Sequence, residues 1–357
     1  MGPFEKVRAK LQALDAPAML VTDIGNVQWL TGFTGSAGAV IVTQEGGAFL
    51  TDSRYAIQAR EQVREVETFT YASPVQFHEF LAEQVRRLAI RRLAFEDSVT
   101  VGALSQWKAS SEDVEFVATK DALAGFRMIK TPEEIARIRA ACELADACFG
   151  HVRRMLQPGV AEYDIALDVE FYLRRSGAKL AFPPIVASGP NSAKPHGEPG
   201  ERQLRLGDFV TIDLGANLDG YCSDITRTVV IGKASDRHRE IYERVLEAQV
   251  RAIEAMAPGA NGRDVDQLVR DVLDRDGAGL ARHFGHSLGH GLGKAVHDAG
   301  KLSVAVDQPI EPGQVWTIEP GVYIDGFGGV RIEDDIVITP DGNEVLTRST
   351  KDLLELG

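Results

Sequence analysis

Cysteine is scarce in this 357-residue chain: Cys142, Cys148 and Cys222 are odd in number and form no CxxC pair, which excludes a disulfide framework and a thiolate zinc site. A reducing, cytoplasmic location is what such usage predicts. Positive charge is in deficit, with 39 Lys+Arg against 52 Asp+Glu, so at a net −13 neither nucleic acid nor an anionic membrane surface is an expected partner. Long hydrophobic runs are missing as well. No stretch approaches the roughly 18 apolar residues of a membrane span, and residues 1–14 alternate charged and apolar side chains without a signal-peptide core. Lys6 stands where a myristoylation signal after Gly2 needs Ser or Thr, so neither export nor anchoring is expected. With 44% apolar and 25% charged residues the composition is globular, and the length predicts two domains.

Residues 18–22, 39–43 and 48–51 are short apolar runs bounded by turn residues and read as buried strands. Residues 56–66 and 74–88 read as helices, the second from the spacing of Val75, Phe77, Phe80, Leu81, Val85 and Leu88. This alternation predicts an α/β N-terminal domain over residues 1–125 with a mostly parallel or mixed sheet. The glycine-rich segment from Gly32 to Gly38 lacks both the Gly-Lys-Ser/Thr of a phosphate loop and GxGxxG spacing, so it reads as a turn. Thr131-Pro132-Glu133-Glu134 has the cap hydroxyl, the early proline and the returning glutamate of a helix start. There the second domain, residues 126–357, opens with a helix to about Met155, followed by another from Tyr163 to Gly177.

A repeat runs through that second domain. Pro158-Gly159 followed by Asp164-Ile165 recurs 100 positions later as Pro258-Gly259 and Asp264-Val265. Residues 207–215 (GDFVTIDLG) align without gaps on residues 313–321 (GQVWTIEPG) at an offset of 106. Two helices and then strands, done twice, predict a duplicated half-domain with a pseudo-two-fold axis. Such an axis brings Asp213 and Glu319 to one place, and each has a later acidic partner, Asp224 and Glu333.

Four carboxylates in a half-buried site repel one another unless protonated or neutralised by cations, so two divalent ions are the natural resolution. A single acid of this kind more often caps a turn or pairs at the surface. The flanking β-rich residues Val210, Ile212, Ile225, Val229, Ile318, Ile332 and Ile336 argue for the interior instead. His196, His283, His286, His290 and His297 add imidazoles in the repeat region. His286 and His290 have the spacing of a zincin helix, but no Glu follows His286 and the nearby glycines disfavour helix. His290 is the candidate ligand, with His196 and His297 in matching loops 101 residues apart.

In that order and spacing, Asp213, Asp224, His290, Glu319 and Glu333 resemble the five metal ligands of the pita-bread metallopeptidases, which include methionine aminopeptidase, prolidase and aminopeptidase P. Supporting motifs are residues 185–192 (IVASGPNS) with Pro195-His196-Gly197, residues 223–228 (SDITRT), residues 289–293 (GHGLG) and residues 331–334 (RIED). Residues 30–36 (LTGFTGS) and 50–55 (LTDSRY) resemble the creatinase-like domain of Xaa-Pro peptidases. Methionine aminopeptidases lack that domain, and creatinase lacks the ligand set. The resemblance implies an α/β creatinase-like N-terminal domain followed by an α+β pita-bread catalytic domain with internal pseudo-two-fold symmetry. It also implies a metal-dependent aminopeptidase that cuts the N-terminal Xaa-Pro bond with a hydroxide bridging two divalent cations about 3.5–4 Å apart.

On the same resemblance Asp213 chelates one ion, Asp224 and Glu333 bridge both, and His290 and Glu319 complete the second site. Glu319 would shuttle a proton to the leaving nitrogen, His297 would donate to the oxyanion, and His196 and His286 would line the substrate wall. Arg331 is expected to orient Glu333 from behind. Mn²⁺ suits these ligands, while Co²⁺, Fe²⁺ or Zn²⁺ are tolerated. Where the family reads His-Glu-x-Pro-Arg-Leu-Ser, this chain reads His297-Asp298-Ala299-Gly300-Lys301-Leu302-Ser303. The family's arginine holds the dipeptide carboxylate in prolidases, and lysine lacks its bidentate fork. Lys301 therefore favours an aminopeptidase acting on longer peptides with proline second, over an Xaa-Pro dipeptidase. A catalytically silent peptide-binding protein on the same fold is the reading from a different class. A homodimer or homotetramer is the assembly the resemblance implies.

Overall fold

A computed structural model of the chain describes residues 2–357. It divides into two compact units, the first ending at Arg127 and the second beginning at Met128.

The first unit runs α1 (Pro3–Ala13), β1 (Ala18–Val21), α2 (Ile24–Thr31), β2 (Ala39–Thr43), β3 (Gly47–Asp52), α3 (Ala56–Gln62), β4 (Glu67–Tyr71), α4 (Phe77–Arg87), β5 (Arg92–Glu96), α5 (Val101–Ser110) and β6 (Glu115–Thr119), with a short α6 (Ala124–Met128) following. Its six strands lie in the order β4-β3-β2-β1-β5-β6. The pairs β1–β2 and β2–β3 are antiparallel and the others parallel, so the sheet is mixed. Period-two alternation divides each central strand between two cores. Met19, Val21, Val40 and Val42 pack on one face with Phe4, Val7 and Leu11 of α1, while Leu20, Ile41, Leu50 and Phe95 meet Leu81, Val85 and Trp107 on the other. The segment after α2 is a turn, with Gly32 capping that helix at φ +72°. Two helices are shorter than their periodicity predicts. Val63 leaves α3 with an extended backbone and is buried, and α4 begins after a Gln76/Glu79 capping box.

The second unit opens with α7 (Pro132–Val152), whose start is the expected capping box: Glu134 N–H donates to Thr131 Oγ1 at 3.2 Å, and Thr131 N–H to Glu134 Oε2 at 2.9 Å. Then come α8 (Glu162–Arg175), β7 (Lys179–Leu180), β8 (Ile185–Ser188), β9 (Phe209–Leu214), β10 (Ala216–Leu218), β11 (Tyr221–Cys222), β12 (Ile225–Ile231), α9 (Asp236–Ala255) and α10 (Gly262–Asp274). The chain ends with β13 (Gly289–Gly291), β14 (Asp298–Leu302), β15 (Val315–Ile318), β16 (Gly321–Ile324), β17 (Gly328–Arg331), β18 (Asp334–Thr339), β19 (Gly342–Val345) and β20 (Glu355–Leu356).

The duplication is visible in this topology. Strands β8-β9-β12 adjoin after α7 and α8, as β13-β15-β18 adjoin after α9 and α10. Isolated bridges Ala161↔Gln203 and Asn261↔Pro309 reproduce the offsets of 100 and 106. Each half has its own apolar cluster, Val169, Leu173, Val210 and Ile212 in the first and Val269, Leu273, Trp316 and Ile318 in the second. Among the described residues, no helix is long and apolar enough to cross a membrane.

Candidate metal centre

The carboxylates sit where buried strands end. Asp213 is in β9, Asp224 precedes β12, Glu319 follows β15, and Glu333 lies in the step between β17 and β18. His290 is in the middle of β13, whose flanking glycines allow close packing: a Cβ on Gly289 would strike the Thr317 carbonyl, and one on Gly291 the Ala299 carbonyl. All five side chains border one cavity of about 400 Å³ in the second unit, together with His196, His286 and His297. A cavity of about 330 Å³ in the first unit is lined by Tyr71, Phe77 and Trp107 and holds one carboxylate, Asp52, paired with Arg54, so it lacks comparable ligand chemistry.

Asp224, His290 and Glu333 each bring a ligand atom within 4.8 Å of the others. His290 Nε2 is 3.5 Å from Glu319 Oε1 and 3.7 Å from Asp224 Oδ2. Its Nδ1 lies 3.1 Å from the Gly291 carbonyl, which can only accept, so the proton is on Nδ1 and the Nε2 lone pair faces the acids. Burial, aided by the neighbouring His297, pushes His290 down to about 4. Burial followed by repulsion from Glu333 raises Asp224 and Glu319 well above the usual carboxylate range. Glu333 is pushed up to about 8, by burial and then by Asp213. Asp213 Oδ1 and Asp224 Oδ1 are buried without a hydrogen-bond partner. Unmet oxygens, mutually destabilised carboxylates and a neutral imidazole with its lone pair turned inward form a donor set that fits hard divalent cations.

Hydroxyls behind these ligands orient them. Thr226 Oγ1 donates to Glu333 Oε2 at 2.5 Å, and Thr317 Oγ1 accepts from His290 N–H at 3.0 Å while lying 3.3 Å from Glu319 Oε1. Arg331 departs from its expected role. Its Nη2 donates to Asp213 Oδ2 at 2.6 Å, and it reaches Glu333 only through Thr226, because β17 runs toward Asp213 before the chain turns at Glu333. Arg331 Nη1 also donates to Tyr323 Oη at 2.8 Å, whose hydroxyl lies 2.9 Å from His286 Nε2. His286 Nδ1 lies 2.8 Å from the Ser287 carbonyl, so Nε2 accepts from Tyr323 and the ring is neutral, with burial pushing it down to about 4. Thr226, Thr317 and Tyr323 escape a sequence reading because their partners depend on strand register; Thr226 and Thr317 had a cue, each falling two residues from an acid of the cluster, Asp224 and Glu319.

His196 and His297 are exposed at the cavity's edge, His297 stacking edge-on against His290 at 4.2 Å between ring centroids. Partial burial of its ring, then the nearby His196, lowers the His297 pKa. Lys301 is exposed, pairs with His290 in the β13–β14 register and is not among the residues lining the cavity. The β13–β14 register shifts after His290, where Ala299 and Gly300 are extra and Gly300, at φ +98°, lies against Trp316. His283, on a short 3-10 turn, is also outside the lining.

A carboxylate-and-imidazole centre on a duplicated α+β fold defines a metal-dependent hydrolase. The metallopeptidase family M24 matches residues 136–340, and the creatinase/prolidase N-terminal domain matches residues 4–129. The chain is 43% identical to an uncharacterized peptidase, YqhT, of Bacillus subtilis, covering 99% of both chains. It is 36% identical to an Xaa-Pro dipeptidase of Pyrococcus horikoshii over 98% of this chain and 99% of that one. The structure of an Xaa-Pro dipeptidase from Bacillus anthracis superimposes with a TM-score of 0.95 at 41% identity, covering 99% of each chain. The protein belongs to metallopeptidase family M24, the dinuclear metal-dependent peptidases of the pita-bread fold.

Proposed function

We propose that this protein hydrolyses Xaa-Pro dipeptides at the bond preceding proline. The observation that carries this reading is the convergence of Asp213, Asp224, His290, Glu319 and Glu333 on one cavity. Dipeptides are favoured because the Xaa-Pro dipeptidases of P. horikoshii and B. anthracis match the chain end to end. The preference for longer peptides rests on Lys301 alone, an exposed side chain outside the cavity lining, and weighs less than two relatives matched over nearly their whole length.

The five side chains would hold two divalent cations, Mn²⁺ foremost. When bound, the ions supply Lewis acidity, polarising the scissile carbonyl and making a water nucleophilic at neutral pH. Glu319 moves a proton to the leaving proline nitrogen, a tertiary amide that departs poorly without one. His297, with its pKa lowered, presents a neutral N–H toward the developing oxyanion. His196 and His286 form the wall against the substrate, and His286, with Nε2 committed to Tyr323, orients rather than exchanges protons. Three unpaired cysteines suit a cytoplasmic enzyme, and a homodimer or homotetramer is the assembly proposed.

The test is turnover of Ala-Pro against Ala-Pro-Ala by protein stripped of metal and reloaded with Mn²⁺. The expected result is a higher kcat/KM for the dipeptide. Preference for the tripeptide would establish an aminopeptidase instead, and hydrolysis of neither would leave a silent peptide-binding protein.

A further inference from the structure

Outside the metal centre, several fully buried carboxylates have no part in the chemistry described so far, and Glu162 is the one whose partners lead back to the cavity. Glu162, at the first position of α8, is 1% exposed. Its neighbours in space are donors from a single loop. Glu162 Oε1 accepts from both the backbone N–H and the hydroxyl of Ser188, each at 2.6 Å. Its Oε2 accepts from Asn191 Nδ2 at 3.1 Å and from Gly200 N–H at 3.2 Å. Ser188 and Gly200 are the two stems of the loop that carries Pro195, His196 and Glu198 to the cavity.

We propose that Glu162 is a positioning residue: its carboxylate clasps both stems of the 189–199 loop and so holds His196 against the substrate. The proposal rests on the dipeptidase reading for its kinetic consequence, though not for the clasp itself. Four donors and the N-terminal end of α8 make this burial of a negative charge tolerable. The loop is anchored at other points by different groups. Arg331 Nη1 donates to the Pro195 carbonyl at 3.1 Å, and Ser192 Oγ accepts from Gly329 N–H at 2.8 Å. Arg202 donates to Ser188 Oγ and forms a paired contact with Asp208 at 2.6 and 2.9 Å, fixing the first stem from its other side. Arg202, two residues past Gly200, thereby also ties the second stem to the first, and Glu162 is the carboxylate that accepts from both stems.

The duplication supplies an internal control. At the repeat offset of 100, the second half has Gly262, where a Cβ would lie 2.6 Å from Leu302 Cδ2; there a different carboxylate, Asp266 one turn further along α10, accepts from a single backbone donor, Val304 N–H at 2.8 Å. A carboxylate at this position of the repeat is present only in the half whose loop carries His196.

Glu162→Gln replaces one oxygen by a donor, which then faces the Asn191 and Gly200 donors, and so opens the second stem. Expected is a rise in KM for Ala-Pro of about tenfold, with kcat and bound metal near wild type, and faster amide hydrogen exchange confined to residues 189–200. In a His196→Ala background, Glu162→Gln should add nothing. Asn191→Ala, which removes the middle bond together with the Asn191 contacts to the Glu198 carbonyl and to Lys194, serves if Glu162→Gln fails to fold; it should speed the same amides. Unchanged exchange in the loop, an equal loss of kcat, or additivity with His196→Ala would overturn the proposal. Failure of the wild type to cleave Ala-Pro would sink the dipeptidase reading alone, since exchange still decides whether the clasp holds the loop.

Discussion

Glu319 is the acid whose two tasks can be separated from its neighbours'. It lies 3.5 Å from His290 Nε2 and 3.3 Å from Thr317 Oγ1, and has no hydrogen bond to Arg331, which instead donates to Asp213. Glu319→Gln retains the shape and loses the proton carrier. With the ions saturating, kcat on Ala-Pro should fall by about 10²–10⁴; steady-state kinetics over a metal titration checks this, and full activity would refute the assigned role. At this scale the convergence of the five side chains on one cavity was legible because it follows from residue type: few contexts other than a metal gather four acids and an imidazole. Their supports were not. Arg331 was expected at Glu333 but bonds Asp213, and no spacing in the sequence says which of two nearby carboxylates a guanidinium across a strand will meet.

Helix α9 offers a pH prediction at the level of the element. His238 is the third residue of its capping box, where Nδ1 accepts from Ser235 N–H at 3.1 Å, and its ring packs edge-on to Phe209 and stacks on Phe327. Burial holds its pKa below the ordinary histidine value. Between the lowered folded value and the ordinary value near 6.5, the unfolded chain binds more protons, so stability rises with pH. The contribution is therefore present above about pH 6.5 and is lost as pH falls through the folded pKa. His238→Gln keeps an acceptor at the third position, as a capping box allows, and cannot titrate. Its unfolding midpoint should decline less than the wild type's between neutral pH and mild acid; parallel declines in the two proteins would contradict this. Elements as such were largely legible. The Thr131 capping box and the strand β2 match their sequence expectations, since cap chemistry and buried apolar runs are local. The end of α3 was missed because Val63 turns extended to bury itself, a tertiary preference that helical periodicity does not register.

At the scale of the catalytic unit, the repeat conveyed the architecture, because two copies of one pattern must bury equivalent faces on each other. What the repeat does not encode is the device that draws distant segments together around Arg227. This side chain, 2% exposed, donates to Asp334 Oδ1 at 2.7 Å and to the carbonyls of Glu333, Ser349 and Thr350 at 2.5–3.2 Å. Asp334 in turn accepts from Lys351 Nζ at 2.8 Å and Gln249 Nε2 at 2.7 Å. One guanidinium thus joins β12, the step into β18 and the C-terminal segment. Its value is not the strength of an isolated ion pair, which desolvation largely cancels; what matters is that no other donor can satisfy those carbonyls once it is gone. Arg227→Met should therefore cost about 3–5 kcal/mol, seen as a lower denaturant midpoint with unchanged slope. The comparison belongs in metal-free protein, because cations that bind only the folded state would add stability by mass action and mask part of the loss. A cost no larger than that of a surface pair, below about 1 kcal/mol, would mean that water replaces Arg227 readily and that the three segments are held by their apolar contacts alone.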